Sequence, residues 1–105
     1  MSMDRLNQLE EFYKDDPRDP FNIYALALEY QNHDPSRSQA LFNMLLLDHE
    51  NYVPTYYHAA KLAEKQGDYA TARKIYEKGM EQCRKLNETK ALRELKSAYE
   101  ELLAD

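Results

Sequence analysis

The chain has 105 residues, 43% of them hydrophobic and 31% charged, with two glycines, four prolines and a formal charge of −5. That length holds one domain, and that balance excludes collagen-like, linker-dominated and disordered chains. The acidic total argues against a nucleic-acid partner, which calls for a basic face; the longest apolar run, residues 23–28, falls far short of the roughly 20 residues of a membrane span.

The pattern is helical throughout, and no Asn-Gly or Asp-Gly turn joins two alternating β-branched runs. Leu6, Leu9, Phe12 and Tyr13 form a first apolar stripe that ends before Asp15-Asp16-Pro17. Asp19 then caps a helix with Pro20 in its first turn, where a missing N–H costs nothing, and Ile23, Leu26, Ala27 and Tyr30 share one face. Asp34-Pro35 repeats the start signal ahead of Leu41, Phe42, Leu45 and Leu46. Pro54 opens a fourth helix with Tyr56, Ala59, Ala60 and Ala63 inward. Gly67 supplies the left-handed residue that ends it, and Asp68 caps a fifth helix that buries Ala72, Ile75, Tyr76 and Gly79. Asn87 is the expected cap of a last helix carrying Leu92, Leu95, Tyr99 and Leu102. The short loops make neighbouring helices antiparallel.

A shift of 34 residues places Pro20 on Pro54, Asp34 on Asp68, Leu41 on Ile75 and Phe42 on Tyr76. A shift of 33 brings Ile23, Leu26, Ala27 and Tyr30 onto Tyr56, Ala59, Ala60 and Ala63, the loop Gln31-Asn32-His33 being one residue shorter than Glu64-Lys65-Gln66-Gly67. Prolines, caps and core positions thus repeat together.

On these residues the chain resembles the tetratricopeptide repeat family, in particular its small stand-alone bacterial members. In residues 54–87, Tyr56 stands for the large aromatic, Ala59-Ala60 for the Leu-Gly pair, Gln66-Gly67-Asp68-Tyr69 for the turn, and Ala72, Tyr76 and Gly79 for the small–aromatic–small series. Residues 20–53 are a more divergent copy with Ser38, Phe42 and Leu45 at the last three places; residues 3–16 resemble a lone second helix and residues 88–104 a C-terminal capping helix. Departures are the absence of Trp, and Ala63, Leu45 and Glu50 where an aromatic, a small residue and a proline are usual. The resemblance implies an all-α fold, an α-α superhelix of antiparallel helix pairs, over one domain of residues 1–105. It also implies a concave wall of first helices that holds a peptide or partner helix.

The residues matching that wall are Phe21, Tyr24, Leu28 and Gln31, then Tyr57, His58, Lys61 and Lys65. Tyr24 and Leu28 lie one turn apart, as do Tyr57 and Lys61, which sets an apolar strip beside a basic one. A segment with an apolar anchor and a nearby carboxylate fits such a strip. The alternative is that Tyr24 and Leu28 complete the core against the N-terminal helix. The set of Lys, Asn and Arg residues by which some members clamp a carboxylate is not present beyond Lys61 and Lys65.

Catalysis is not expected, nor is a cofactor or a metal. His33, His49 and His58 fall in different elements, with no His-Glu-x-x-His or Cys-x-x-Cys motif. The lone Cys83 has Arg84 and Lys85 beside it, neighbours that can lower a thiol pKa, but no base accompanies it, and a buried or idle thiol is expected. Asp15, Asp16 and Asp19 lack the spacing of a calcium loop. With one cysteine and no charged-then-apolar leader, a cytoplasmic protein without an export signal is expected. A second functional reading is self-association, as a homodimer or end-to-end stack. Residues 44–47 (Met-Leu-Leu-Leu) are too apolar for a single buried face, unless both sides are covered within the chain. Residues 1–60 carry four basic and ten acidic side chains, residues 61–105 ten basic and nine acidic.

Overall fold

The computed structural model describes residues 2–104, with side chains from Asp4 to Ala104. Six helices, and no strand among the described residues, make the fold: α1 (Ser2–Asp15), α2 (Pro20–Tyr30), α3 (Pro35–Asp48), α4 (Pro54–Lys65), α5 (Tyr69–Leu86) and α6 (Thr89–Leu103). They group into two compact units, one ending at His49 and the other beginning at Glu50.

In the first unit, α2 packs against both α1 and α3. The Asp19 carboxylate accepts from the Phe21 N–H at 2.9 Å and that of Asp34 from the Arg37 N–H at 3.2 Å, so both Asp-Pro signals are true caps. Asn22 adds a device the sequence does not announce. Its side-chain amide donates to the carbonyls of Phe12 and Asp16, each at 3.2 Å, a second bond to acceptors that already take the N–H groups of Asp16 and Asp19, and so ties α2 to the end of α1. Leu6, Leu9, Ile23, Leu26, Ala27, Leu41, Phe42 and Leu45 are buried. Ser38, in the place of a small residue, is also a staple: its hydroxyl donates to the Ala27 carbonyl at 2.7 Å. Tyr30 donates to Glu10, and Arg5 Nε lies 3.3 Å from Glu29, which fastens α1 to α2.

Two expectations for this unit need correction. Phe12 is 54% exposed, because at about 100° per residue it lies about 60° beyond Leu9, outside the arc of Leu6, Leu9 and Tyr13 that faces α2. In residues 44–47 only Leu45 is fully buried; Met44 and Leu46 are half-buried, and Leu47 is 80% exposed.

In the second unit, α5 packs between α4 and α6, and α4 also touches α6. Pro54 opens α4 without a side-chain cap. The loop before it is held instead by Tyr56, whose hydroxyl donates to the Glu50 carbonyl at 2.8 Å, and by the Lys78–Glu50 ion pair. Gly67 takes φ +80°, the Asp68 N–H reaches back to the Ala63 carbonyl at 2.9 Å, and the Asp68 carboxylate accepts from the Thr71 N–H. The same closure recurs at the end of α5. There Asn87 has φ 59° and the Glu88 N–H donates to the Cys83 carbonyl at 2.9 Å. Asn87 is therefore the residue that ends α5, and Glu88 precedes α6 without a side-chain cap bond. One residue cannot hold the left-handed conformation of a helix end and the extended one of an N-cap together.

Tyr56, Ala59, Ala60, Ala63, Ala72, Tyr76, Gly79, Leu95 and Ala98 are buried. Ile75, Leu92, Tyr99 and Leu102, expected in the core, are half-buried at its margins. A methyl group on Gly79 would lie 2.7 Å from Tyr56 Cβ, 2.8 Å from its Cγ and 2.9 Å from a Leu95 methyl. The first two atoms are the root of a fully buried ring and cannot swing aside.

Phe42→Ala should cost about 3–5 kcal/mol in urea unfolding, the usual loss for a buried aromatic. Gly79→Ala should destabilise by about 1–3 kcal/mol through overpacking, against the gain of roughly 1 kcal/mol that alanine brings to an open helix. A stabilised Gly79→Ala protein would mean that α4, α5 and α6 do not meet so closely.

Candidate protein-interaction surface

In the first unit, α2 carries four of the wall residues. Phe21 is 58% exposed, while Tyr24, Leu28 and Gln31 are half-buried on a helix that α1 also covers. In the second unit, α4 carries the other four. Tyr57 is 38% exposed, His58 and Lys61 are half-buried and Lys65 is exposed. Each set follows from its own helix, since the residues that bury Ile23, Leu26 and Ala27, or Tyr56, Ala59 and Ala60, leave these positions on the opposite arc.

The geometry on α4 is well defined. Tyr57 and His58 form an edge-to-face pair with ring centroids 5.4 Å apart. Lys61 Nζ stands 5.7 Å from the centre of the Tyr57 ring and 3.8 Å from the Glu64 carboxylate, so its charge is shared between a π-face and an acid. Glu64 in turn accepts from the Tyr76 hydroxyl at 2.5 Å. Burial and that carboxylate push the Tyr76 phenol far above its ordinary pKa, which keeps it a hydrogen-bond donor. The strip expected to be basic is thus only partly so.

Across from Tyr57 and His58 stands α6. Arg93, Glu94, Ser97 and Glu101 complete an open groove of about 660 Å³. These four were not singled out from the sequence, although a signal existed. A shift of thirty-six residues carries Tyr57, His58, Lys61 and Lys65 onto Arg93, Glu94, Ser97 and Glu101, so α6 repeats the wall of α4. The groove offers an aromatic pair on one side and charges of both signs on the other.

The remaining candidates for chemistry are spread through the fold. Cys83 is buried, as an idle thiol would be, and burial raises its pKa more than Arg84 lowers it. His33 lies 3.8 Å from Glu29 in the first unit. Among the described residues no three His, Cys, Asp or Glu side chains form a metal-binding group, and no helix is long and apolar enough to cross a membrane.

Burial also holds the His58 imidazole below its ordinary pKa of 6.5. Between the depressed folded value and 6.5 the unfolded chain binds more protons than the folded one. Folding stability should therefore be complete above pH 6.5 and fall as the pH drops below it. NMR titration of the His58 ring should give a midpoint under 6.5, and His58→Gln should flatten this part of the stability profile.

No protein-family model matches the chain, and no curated protein matches it. Solved structures do. The solution NMR structure of a tetratricopeptide repeat domain protein from Salinibacter ruber is 42% identical, with a TM-score of 0.79 over 83% of this chain and 89% of that one. A crystal structure of the tetratricopeptide repeat domain protein from the same organism is 40% identical, with a TM-score of 0.77 over 82% of this chain and 97% of that one. Identity at this level over nearly the whole of both chains establishes kinship as well as the α-α superhelix fold class. The chain belongs to the tetratricopeptide repeat family.

Proposed function

We propose that this protein is a non-catalytic adaptor that holds a peptide or partner helix on the exposed faces of its first helices. Family membership carries the general part, since tetratricopeptide repeats are protein-interaction modules. The α4–α6 groove supports the specific part. It keeps Tyr57 exposed although the same helix buries Tyr56 completely, and an aromatic ring left at the wall of a groove is the usual anchor of a binding surface. Tyr57, His58, Lys61 and Lys65 form one contact face, with Arg93, Glu94, Ser97 and Glu101 opposite Tyr57 and His58. Phe21, Tyr24, Leu28 and Gln31 form a further face on α2.

The ligand that fits best is a short segment with an apolar side chain to lie on Tyr57 and both a donor and an acceptor to meet Glu101 and Arg93. In this reading residues 20–53 and 54–87 are the two repeats of a single module of residues 1–105, flanked by helices at 3–16 and 88–104. A reduced, buried Cys83 suits a cytoplasmic setting.

A random peptide library panned on the protein, together with affinity capture from native lysate, tests the proposal. Binders enriched on the wild type should lose about tenfold or more of their affinity for a Tyr57→Ala/Ser97→Tyr variant, which empties one wall and fills the groove while its thermal melt is kept. A parallel Phe21→Ala variant reads the contribution of α2. Binders that hold both variants as tightly as the wild type would remove these faces from the function, and an absence of any protein or peptide ligand would remove the adaptor reading.

A further inference from the structure

Large apolar side chains are exposed at two turns of opposite charge. Each turn joins a second helix to the first helix that follows. At the α1–α2 turn Phe12 and Phe21 are 54% and 58% exposed. Their backbones are drawn together by the Asn22 amide, which bonds the Phe12 carbonyl, and by Asp19, which caps the Phe21 N–H. Residues 10–19 around them carry five acids against Lys14 and Arg18. At the α5–α6 turn Leu86 is 39% exposed, and residues 84–90 carry Arg84, Lys85 and Lys90 against Glu88.

The charges at these turns are only partly used within the chain: Glu11 pairs with Lys14, Glu10 accepts from Tyr30, Asp19 caps α2, and Lys85 acts on Glu50 without forming an ion pair. Among the described residues Asp15 and Asp16 enter no ion pair, and neither do Arg84, Lys85 and Lys90. Surface charges outside close ion pairs set the long-range field of a molecule. Here that field is negative beside one pair of exposed rings and positive beside an exposed leucine. From this complementarity we propose that the protein self-associates, the acidic α1–α2 turn of one copy meeting the basic α5–α6 turn of another. The apolar contact is Phe12 and Phe21 against Leu86, and the acids and bases select the orientation. The contact is small beside a standard interface, which makes it weak and salt-sensitive. It uses neither Tyr57 nor Ser97, and it shares only Phe21 with the proposed peptide-binding faces.

Sedimentation equilibrium of the full chain from micromolar to millimolar concentration, at low and high salt, tests it. The wild type should associate at low salt and dissociate as salt rises. Asp15→Lys/Asp16→Lys and Lys85→Glu/Lys90→Glu, each on exposed residues, should separately weaken association by about tenfold or more. An equimolar mixture of the two should associate again, because the reversed turns now complement each other. A wild type that stays monomeric throughout overturns the proposal. So does association that survives either reversal, or a mixture that fails to recover while both variants keep the wild-type thermal melt. The Tyr57→Ala/Ser97→Tyr variant should associate like the wild type, which separates this contact from ligand binding.

Discussion

Within the second unit everything turns on how closely Tyr56 approaches the backbone of α5. The ring is wholly buried, and its Cβ and Cγ occupy the space a side chain at position 79 would need, so glycine is the residue that fits. Leu95 closes the same gap from α6, and one small position therefore sets the spacing of three helices. The hydroxyl of the same tyrosine reaches out to the Glu50 carbonyl and fixes the loop that leads into α4. Desolvation pushes the phenol up to about 12, so it stays a donor at any physiological pH. The first unit fills the matching positions differently. Ile23 and Leu45 stand there, both buried, and two side chains of similar size replace a large one and a void.

Tyrosine hydroxyls perform a second, repeated task. Tyr30 donates to Glu10 and Tyr99 to Glu77, in each case from a first helix back to the second helix before it. The two tyrosines correspond in position, as Leu92 and Leu95 correspond to Ile23 and Leu26. Tyr76 reverses the direction, donating from a second helix to Glu64 on its own first helix. A phenol buries its ring and presents its polar atom at the rim, where a carboxylate can stay partly hydrated. These bonds fix helix against helix at the edge of the core without burying a charge. They also explain how a chain without tryptophan fills its interior with aromatic volume.

Rigid spacing of this kind is what a binding surface needs. A groove between α4 and α6 keeps its width because Gly79, Tyr56 and Leu95 hold those helices in place, so its walls are preformed. Beside it on α4, Lys61 is tempered by Glu64 and the Tyr57 ring, while Arg93, Glu94 and Glu101 bring charges of both signs to the groove itself. The turns differ, because among the described residues Asp15, Asp16, Arg84, Lys85 and Lys90 enter no ion pair.

Consecutive residues carried the local decisions. The Asp-Pro starts of α2 and α3, the left-handed Gly67, the Asp68 cap and the inward alanines of α4 are all written in short windows of sequence. A cap or a turn is decided by backbone groups within a few residues. Tertiary structure decided what lies opposite. Asn87 reads as a cap until α5 runs up to it and claims it as a terminator; Phe12 reads as core until the arc covered by α2 proves narrower than the apolar stripe; Asn22 shows its purpose only once α1 ends beside it. The far wall of the groove, from Arg93 to Glu101, likewise exists only because α6 folds back beside α4. Burial and pairing are properties of two surfaces brought together, and a periodic pattern in one helix specifies only the first of them.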